Sequence, residues 1–335
     1  MDISIIFVNY KSPQLVLDCV DSIYEQTKKL SFEIIVVDNF SQDNSHEIVS
    51  NKYPAIKWIP MGYNAGFARA NNEGIRNATG EYVLILNTDT IILENALDKA
   101  VALFEAEKNA VACGIQLLNP DGSQQISGAH FITGGLNILL PLPYFGKLIR
   151  FLGYSLKTKV PSVSNVESKT KVDWIIGAFI LLRRSTAMQC LMNEDFFMYA
   201  EEIEWCSRLR KLGDIYLYAD PKVIHIGGGT SSDYYDTTEN ENSKNLWNRK
   251  GRQVVLSNIL YIRKTWGICW YLFMMICYLF EIPVFAFCLL IEKIFKGKKA
   301  KYKWQNVAGY ISNVGILLKY SFKMLVNKPY FYKVA

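Results

Sequence analysis

Tyr82-Val83-Leu84-Ile85-Leu86-Asn87-Thr88-Asp89 sets five strand-forming residues directly against three polar ones. An apolar run without polar alternation suits a strand buried on both faces, and the switch at Asn87 marks its carboxyl end. The pattern recurs upstream, where Ile3, Ile5, Ile6, Phe7 and Val8 run into Asn9-Tyr10 and Phe32 to Val37 runs into Asp38-Asn39. Helical spacing fills the first interval: Ser12-Pro13 supplies a cap and a first-turn proline ahead of Leu15, Val16, Cys19, Val20, Ile23 and Tyr24. Further helices are expected from about Asn44, over Phe67 to Ala78 and over Glu94 to Glu107, with strands at Ile56 to Ile59 and Val111 to Leu117. This alternation predicts an α/β fold with a mostly parallel, Rossmann-like sheet and helices on both faces. In such sheets ligands sit beyond the carboxyl ends of the strands.

Half of the 335 residues are hydrophobic and 20% are charged, which excludes a disordered or collagen-like chain. The seven cysteines (Cys19, Cys113, Cys190, Cys206, Cys269, Cys277 and Cys288) form no CxxC pair, so neither a disulfide framework nor a zinc site is encoded. A reducing compartment is expected. The opening apolar run reads as a strand, with no charged leader before it to suggest a secretory signal. From Asn119 to Lys171 periodicity is weak and Gly, Pro and Ser recur, which predicts a long surface excursion. Order returns with Val172 to Arg184, a helix from about Glu201 to Leu212 and a strand around Ile215 to Tyr218.

The net charge of +6 conceals an asymmetry. Residues 1–240 carry 21 Lys and Arg against 28 Asp and Glu, whereas residues 241–335 carry 16 against 3. The first part is expected to be one domain and the second a basic, apolar helical region. A basic tail can serve nucleic acid, but Ile268 to Ile291 holds a single ionisable acid, Glu281, and that apolarity favours an anionic membrane surface over nucleic acid. Glu281 and Pro283 interrupt the run, and both flanks are basic, with Arg263-Lys264 before it and Lys293, Lys296, Lys298, Lys299, Lys301 and Lys303 after it. That placement predicts a re-entrant or in-plane pair of helices on the cytoplasmic leaflet rather than a single crossing. Val307, Ile311, Val314, Leu318, Phe322 and Leu325 then follow at helical spacing. A buried helical hairpin is the competing reading.

Candidate chemistry lies at the strand ends. Asp89, with Asn87 two residues before it, offers oxygen donors to a hard divalent cation, or simply caps the next helix. Asp38, supported by Asn39 and Ser41, can accept from the imide N–H of a pyrimidine base, or cap a helix in turn. Asn64, Gly66, Phe67, Ala68 and Asn71 surround a helix start suited to a diphosphate. Glu201, Glu202 and Glu204 follow the apolar Phe196-Phe197-Met198-Tyr199, so beyond complementing the helix dipole, one of them is expected to face a partly dry cleft with a raised pKa. His225 precedes Gly227-Gly228-Gly229, where backbone can approach a phosphate or sugar, and Trp174 can stack on a sugar face. Either is equally at home in a core.

Taken in order, Val8-Asn9-Tyr10, Val36-Val37-Asp38-Asn39-Phe40-Ser41, Asn64-Ala65-Gly66-Phe67-Ala68, Leu86-Asn87-Thr88-Asp89, Trp174-Ile175-Ile176-Gly177-Ala178, Tyr199-Ala200-Glu201-Glu202-Ile203-Glu204 and His225-Ile226-Gly227-Gly228-Gly229 closely resemble family 2 glycosyltransferases of the GT-A fold, in particular the rhamnosyltransferase-like branch. The resemblance covers about residues 3 to 230. It implies inverting transfer of a sugar from a nucleoside diphosphate to an acceptor hydroxyl. Asn9, Tyr10, Asp38, Asn64, Gly66, Phe67, Asn71 and Asn87 would line the donor, Asp89 and His225 would hold Mg²⁺ or Mn²⁺, and Trp174, Gly177 and Ala178 would form the acceptor-side loop. Glu202 aligns with the usual catalytic aspartate of the family, and its extra methylene leaves Glu201 as the alternative base. The branch points to dTDP-rhamnose, with UDP-hexoses or galactofuranose open, and to a glycan or lipid-linked acceptor at the cytoplasmic face of the cell membrane. A homo-oligomer is compatible with this reading, and nucleic acid is not among the expected partners. A sugar-1-phosphate nucleotidyltransferase is disfavoured because the first strand lacks a glycine-rich basic loop, and a processive synthase because its Gln-x-x-Arg-Trp motif is absent. A non-catalytic scaffold of the same fold stands as the alternative to an enzyme.

Overall fold

A computed structural model describes residues 1–155, 160–227, 245–328 and 332–333. The chain divides into two compact units: Met1–Phe131 with Pro161–Phe197 and Glu201–Tyr234, and Ile132–Val160 with Met198–Ala200 and Tyr235–Ala335. In the first, β1 (Ile3–Asn9), α1 (Pro13–Gln26), β2 (Phe32–Asp38), α2 (Ser45–Lys52), β3 (Lys57–Pro60), α3 (Gly66–Asn77) and β4 (Tyr82–Leu86) alternate as expected. They are followed by β5 (Thr90–Ile92), α4 (Ala96–Glu105), β6 (Ala110–Leu118) and β7 (Gly128–Ala129). The later elements are β8 (Ser162–Val163), β9 (Lys169–Val172), β10 (Trp174–Ile175), β11 (Phe179–Arg183), α6 (Arg184–Gln189), α7 (Glu201–Leu209) and β12 (Asp214–His225).

The large sheet runs β3-β2-β1-β4-β11-β6-β12-β5, with β9 also paired to β12. β3, β2, β1 and β4 are mutually parallel, as are β6 and β12, while β11 enters antiparallel between β4 and β6. Val172 to Arg184, where order returns, holds the end of β9 and the separate strands β10 and β11, because β10 leaves the large sheet and pairs with β7 in a small one. Side chains alternate into two cores. Ile3, Ile5 and Phe7 of β1 and Tyr82, Leu84 and Leu86 of β4 pack on one face with α1 and α4; Ile6, Val83 and Ile85 pack on the other with α3 and α7. Each fully buried aliphatic contributes roughly 1.5–3 kcal/mol, so this double burial is what the unbroken apolar runs supply.

The second unit contains a 3₁₀ segment (Thr133–Leu139), α5 (Phe145–Ser155), α8 (Arg249–Thr265), α9 (Ile268–Lys296) and α10 (Trp304–Leu325). Asn248 caps α8 through a hydrogen bond from Gly251 N to its side chain, at 2.7 Å. Asn313 of α10 accepts from Arg252 Nε at 3.0 Å and donates to the carbonyls of Leu246 and Asn248, which binds α10 to the start of α8. The expected pair of helices broken at Glu281 and Pro283 is instead the one continuous helix α9. Glu281 is fully buried, and its carboxylate accepts the N–H groups of Tyr144 (2.8 Å) and Phe145 (3.0 Å) at the start of α5. The charge that reads as an interruption is therefore a cap for another helix. Pro283 removes one backbone donor without ending the helix.

Gly80, between α3 and β4, tests the close approach on which the parallel pairing depends. A Cβ there would lie 2.6 Å from Ser4 N and 2.7 Å from the Ile3 carbonyl carbon, both backbone atoms of β1. Gly80→Ala is expected to destabilise the sheet unit by about 1–3 kcal/mol, as overpacking does, and to lower the midpoint of thermal unfolding by several degrees.

Candidate active site

Parallel register places the polar ends of β1 and β2 side by side, with Asn9 opposite Asp38. Asn9 Nδ2 donates to Asp38 Oδ1 at 2.9 Å, and Ser41 returns to the same carboxylate through Oγ (2.5 Å) and N (3.1 Å). A carboxylate accepts about four hydrogen bonds, so this arrangement orients Asp38 while leaving capacity on Oδ2. Tyr10, next in the chain, carries the Lys11 ammonium 5.6 Å from its ring centre. Asn39 extends the network: its Nδ2 donates to Asn64 Oδ1 at 3.0 Å, and its Oδ1 accepts from Ala65 N at 2.7 Å.

The start of α3 departs from expectation. Its opening N–H groups are accepted internally, Gly66 N by Asn64 Oδ1 (3.2 Å) and Phe67 N by the Phe197 carbonyl (2.8 Å), rather than presented to a diphosphate. Gly66 has φ +74°, and a Cβ there would fall 2.1 Å from the Phe197 oxygen, so glycine is required by this contact. Asn71 is fully buried and donates to the Phe67 carbonyl of its own helix at 3.0 Å. Phe67 itself lies 3.7 Å from where a Cβ of Gly177 would stand, which brings the loop carrying Gly177 to the start of α3. Ala178 is buried, and its carbonyl accepts from Asn87 N at 3.1 Å, while Trp174 is half-buried on β10.

A second cluster forms where β12 meets β5, with His225 opposite Thr90. His225 Nε2 stands 3.4 Å from Asp89 Oδ1 and 3.3 Å from Asn87 Nδ2. On its other edge Nδ1 lies 2.6 Å from Gln125 Oε1. Gln125 Nε2 donates to Asn119 Oδ1 (2.9 Å) and to the His225 carbonyl (3.3 Å), so the amide oxygen faces the ring and the imidazole proton belongs on Nδ1. In this tautomer of the neutral ring, Nε2 offers its lone pair beside a buried carboxylate. Imidazole nitrogen plus carboxylate oxygen, with the imidazole oriented by an outer hydrogen bond, fits a divalent cation. Among the described residues no three His, Cys, Asp or Glu side chains converge, so such an ion would need the nucleotide's own oxygens. Gln125 escaped sequence reading because it lies in the aperiodic stretch after Asn119. Gly228 and Gly229 lie outside the described residues.

Glu201 and Glu202 open α7, whose first turn is acidic and whose last contains Arg208. Glu204 is committed to structure, held by Arg208 through two contacts of 2.9 Å. Glu201 is buried. Glu202 keeps partial access to solvent as a residue, but burial of its carboxyl pushes the pKa up to about 7. A carboxyl raised by desolvation binds its proton in the folded state across the interval where the unfolded chain has already lost it, so folding stability declines as pH rises from about 4.5 to about 7. Glu202→Gln removes that decline. The variant's melting temperature should match wild type near pH 4 and exceed it progressively up to pH 7, measured by paired thermal melts.

Residues 4–164 match the family described as Glycosyl transferase family 2. The chain is 30% identical over 63% of its length to the low-salt glycan biosynthesis hexosyltransferase Agl10 of Haloferax volcanii, spanning 62% of that protein. It is 26% identical over 57% of its length to the N-acetylglucosaminyl-diphospho-decaprenol L-rhamnosyltransferase of Mycobacterium tuberculosis, spanning 66% of it. It thus spans just under two thirds of either relative. Among solved structures, the mannosyltransferase PcManGT from Pyrobaculum calidifontis aligns with a TM-score of 0.51 at 16% identity, covering 97% of this chain and 87% of that one, a likeness of fold. The sheet order, the polar strand ends and these matches agree on GT-A architecture, and over residues 4–164 the chain is similar to glycosyltransferase family 2.

Proposed function

We propose that the chain transfers a sugar, with inversion, from a nucleoside diphosphate to an acceptor hydroxyl. The observation that carries this reading is the pairing of Asp89 with His225 at the strand ends of a sheet similar to that of family 2. Asp38, oriented by Asn9 and Ser41, accepts from the pyrimidine imide, with Tyr10 and Asn64 beside it. Asp89 and His225, with Asn87, would hold Mg²⁺ or Mn²⁺. When bound, the ion supplies positive charge to the departing diphosphate. Glu202 takes the acceptor's hydroxyl proton as the acceptor oxygen forms its bond to the anomeric carbon and the bond from that carbon to the diphosphate oxygen breaks. A carboxyl pushed up to about 7 is matched to that task near neutrality, which supports Glu202 as the base. The acceptor enters beside Trp174, Gly177 and Ala178.

The Mycobacterium tuberculosis relative is named for L-rhamnosyl transfer to a decaprenol-linked acceptor, so dTDP-rhamnose is the first donor to test. UDP-hexoses and UDP-galactofuranose are the comparison donors. With the correct donor, Asp89→Ala should abolish metal-dependent binding, while Glu202→Gln should bind donor normally and lose about 10²-fold or more in turnover. Unchanged turnover after chelation removes the metal from the reaction, and full activity in Glu202→Gln removes the base. Binding without turnover in wild type, with any acceptor, leaves the non-catalytic scaffold.

The helical region is proposed to dock in the plane of the cytoplasmic leaflet and bring the site to a lipid-linked acceptor. α9 is long and apolar enough to cross a membrane, yet Tyr271, Met274, Tyr278, Glu281, Phe285 and Leu289 are buried within the protein. Its other face exposes Leu272, Ile276, Phe280, Phe287, Ile294 and Phe295 along the whole length, and α10 exposes Ile311, Leu318 and Phe322. One open apolar face flanked by lysines suits a helix lying in an anionic interface. Each lysine near such a surface contributes about 1 kcal/mol. Replacing Lys293, Lys296, Lys299, Lys301 and Lys303 with alanine should weaken co-sedimentation with phosphatidylglycerol vesicles by at least about 10²-fold. A wild-type chain that ignores such vesicles has instead a packing or oligomerisation surface there.

A further inference from the structure

The chain leaves β6 through a tight turn and comes straight back. Gly122 N donates to the Asn119 carbonyl at 2.9 Å, Asn119 N to the Ser123 carbonyl at 2.8 Å and Gln125 N to the Leu117 carbonyl at 2.9 Å. Asn119-Pro120-Asp121-Gly122 suits such a turn, since proline presets its second position and Gly122 takes the left-handed region at φ +80°. The side chains of this turn form a second hydrogen-bonded line, whose direction is set from the solvent end. Asp121 is exposed, and its Oδ1 accepts from Ser123 Oγ at 2.5 Å and from Ser123 N at 2.9 Å. The hydroxyl's bond, then that of the N–H, hold the Asp121 carboxyl below its ordinary pKa, so near neutrality it only accepts. The one hydroxyl proton of Ser123 is committed there, so the Asn119 atom 2.9 Å from Ser123 Oγ is the donor Nδ2. Asn119 Oδ1 therefore faces inward and accepts from Gln125 Nε2 at 2.9 Å. The other Gln125 amide proton points to the His225 carbonyl at 3.3 Å, and Gln125 Oε1 is left to accept from His225 Nδ1 at 2.6 Å. Each step forces the next, and a flipped Gln125 amide would set its oxygen against two acceptors.

We propose that Asn119 and Gln125 are positioning residues for His225: the side-chain relay of this turn keeps the imidazole proton on Nδ1, and so prevents His225 and Asp89 from satisfying one another. This role rests on the reading of His225 as a metal ligand. Every residue of the relay lies in the sheet unit. The other tautomer shows what the relay prevents. With its proton on Nε2, 3.4 Å from Asp89 Oδ1, the ring would donate to the carboxylate, in a place where the two side chains are only 13% and 6% exposed. The pair would then be closed on itself, and a cation would have to displace that proton before either atom could ligate. With the proton on Nδ1, both atoms face the same space as acceptors, which a cation joins. Asn87 Nδ2, 3.3 Å from the same ring nitrogen, is a donor and matches only its bare form.

The test reads the tautomer directly, by ¹⁵N NMR of the histidine-labelled full-length chain after chelation, with His225 assigned through His225→Ala. Spectra are taken where further alkalinisation leaves the ring shifts unchanged, so that the ring is neutral. Wild type is expected to show a protonated Nδ1 and a bare Nε2. Gln125→Met keeps the length and removes the amide, and should move the proton to Nε2. It should also weaken Mn²⁺ binding, followed by electron paramagnetic resonance with UDP or dTDP present, by about 10- to 100-fold. Gln125→Glu restores an acceptor at the same place and should return the wild-type tautomer, which a merely structural need for that side chain does not predict. One step back, Asn119→Asp keeps the acceptor that holds the Gln125 amide, whereas Asn119→Leu has similar bulk without it and should shift the proton as Gln125→Met does. Asn119→Leu also makes the test where Gln125→Met does not fold. A proton on Nε2 in wild type, or an unmoved tautomer in the folded Gln125→Met or Asn119→Leu chain, overturns the proposal. Failure of the ligand reading looks different: His225→Ala then binds Mn²⁺ with either nucleotide as tightly as wild type, and the ring shifts alone decide the role of Asn119 and Gln125.

Discussion

Both faces of the central sheet are covered, and that constraint governs where polarity can go. β1 sends Ile3, Ile5 and Phe7 into one core and Ile6 into the other, so no position along its middle can carry a solvated group. Asn9, Asp38, Asn87 and Asp89 therefore gather at the strand ends, where the backbone leaves the sheet. Strand register then does what sequence distance cannot, the parallel pairing of β1 with β2 setting Asn9 against Asp38 and the antiparallel pairing of β12 with β5 placing His225 beside Thr90. The chemistry of the unit follows from a packing rule about apolar residues.

Much of this was legible in the sequence because it depends on local signals. The strand and helix alternation through Glu107, the polar strand ends and the acid-rich start of α7 were all readable from periodicity and spacing. The losses came where a distant partner decides the outcome. Gln125 orients His225 across 100 residues, from a stretch with no periodicity to mark it. The donors at the start of α3 resemble an anion site until Phe197, Asn39 and Asn64 are seen to accept them. Antiparallel β11 and the detachment of β10 likewise depend on pairing choices that an apolar run does not encode.

The helical unit shows a further way in which sequence periodicity misleads. α9 is apolar nearly all round, so its pattern does not say which face is inside. Burial separates the faces: the inner one carries Tyr271, Met274, Tyr278 and Glu281 beside Phe285 and Leu289, and the outer one is dominated by aliphatic and aromatic side chains. The more hydrophobic side thus remains outside the protein core, the reverse of the arrangement in the sheet unit. Burial of Glu281 becomes intelligible in that light, since the inner side is where backbone donors are available to receive a carboxylate.

The cap that Glu281 provides to α5 also orders events in time. Tyr144 and Phe145 leave the ribosome long before their acceptor, which follows 137 and 136 residues later. Contacts of such sequence separation carry a high loop-closure cost and form late. The early segment around α5 must therefore wait, apolar and with open N–H groups, while the rest of the sheet unit is synthesised. The cap of α5 is therefore among the last contacts that the helical unit can close.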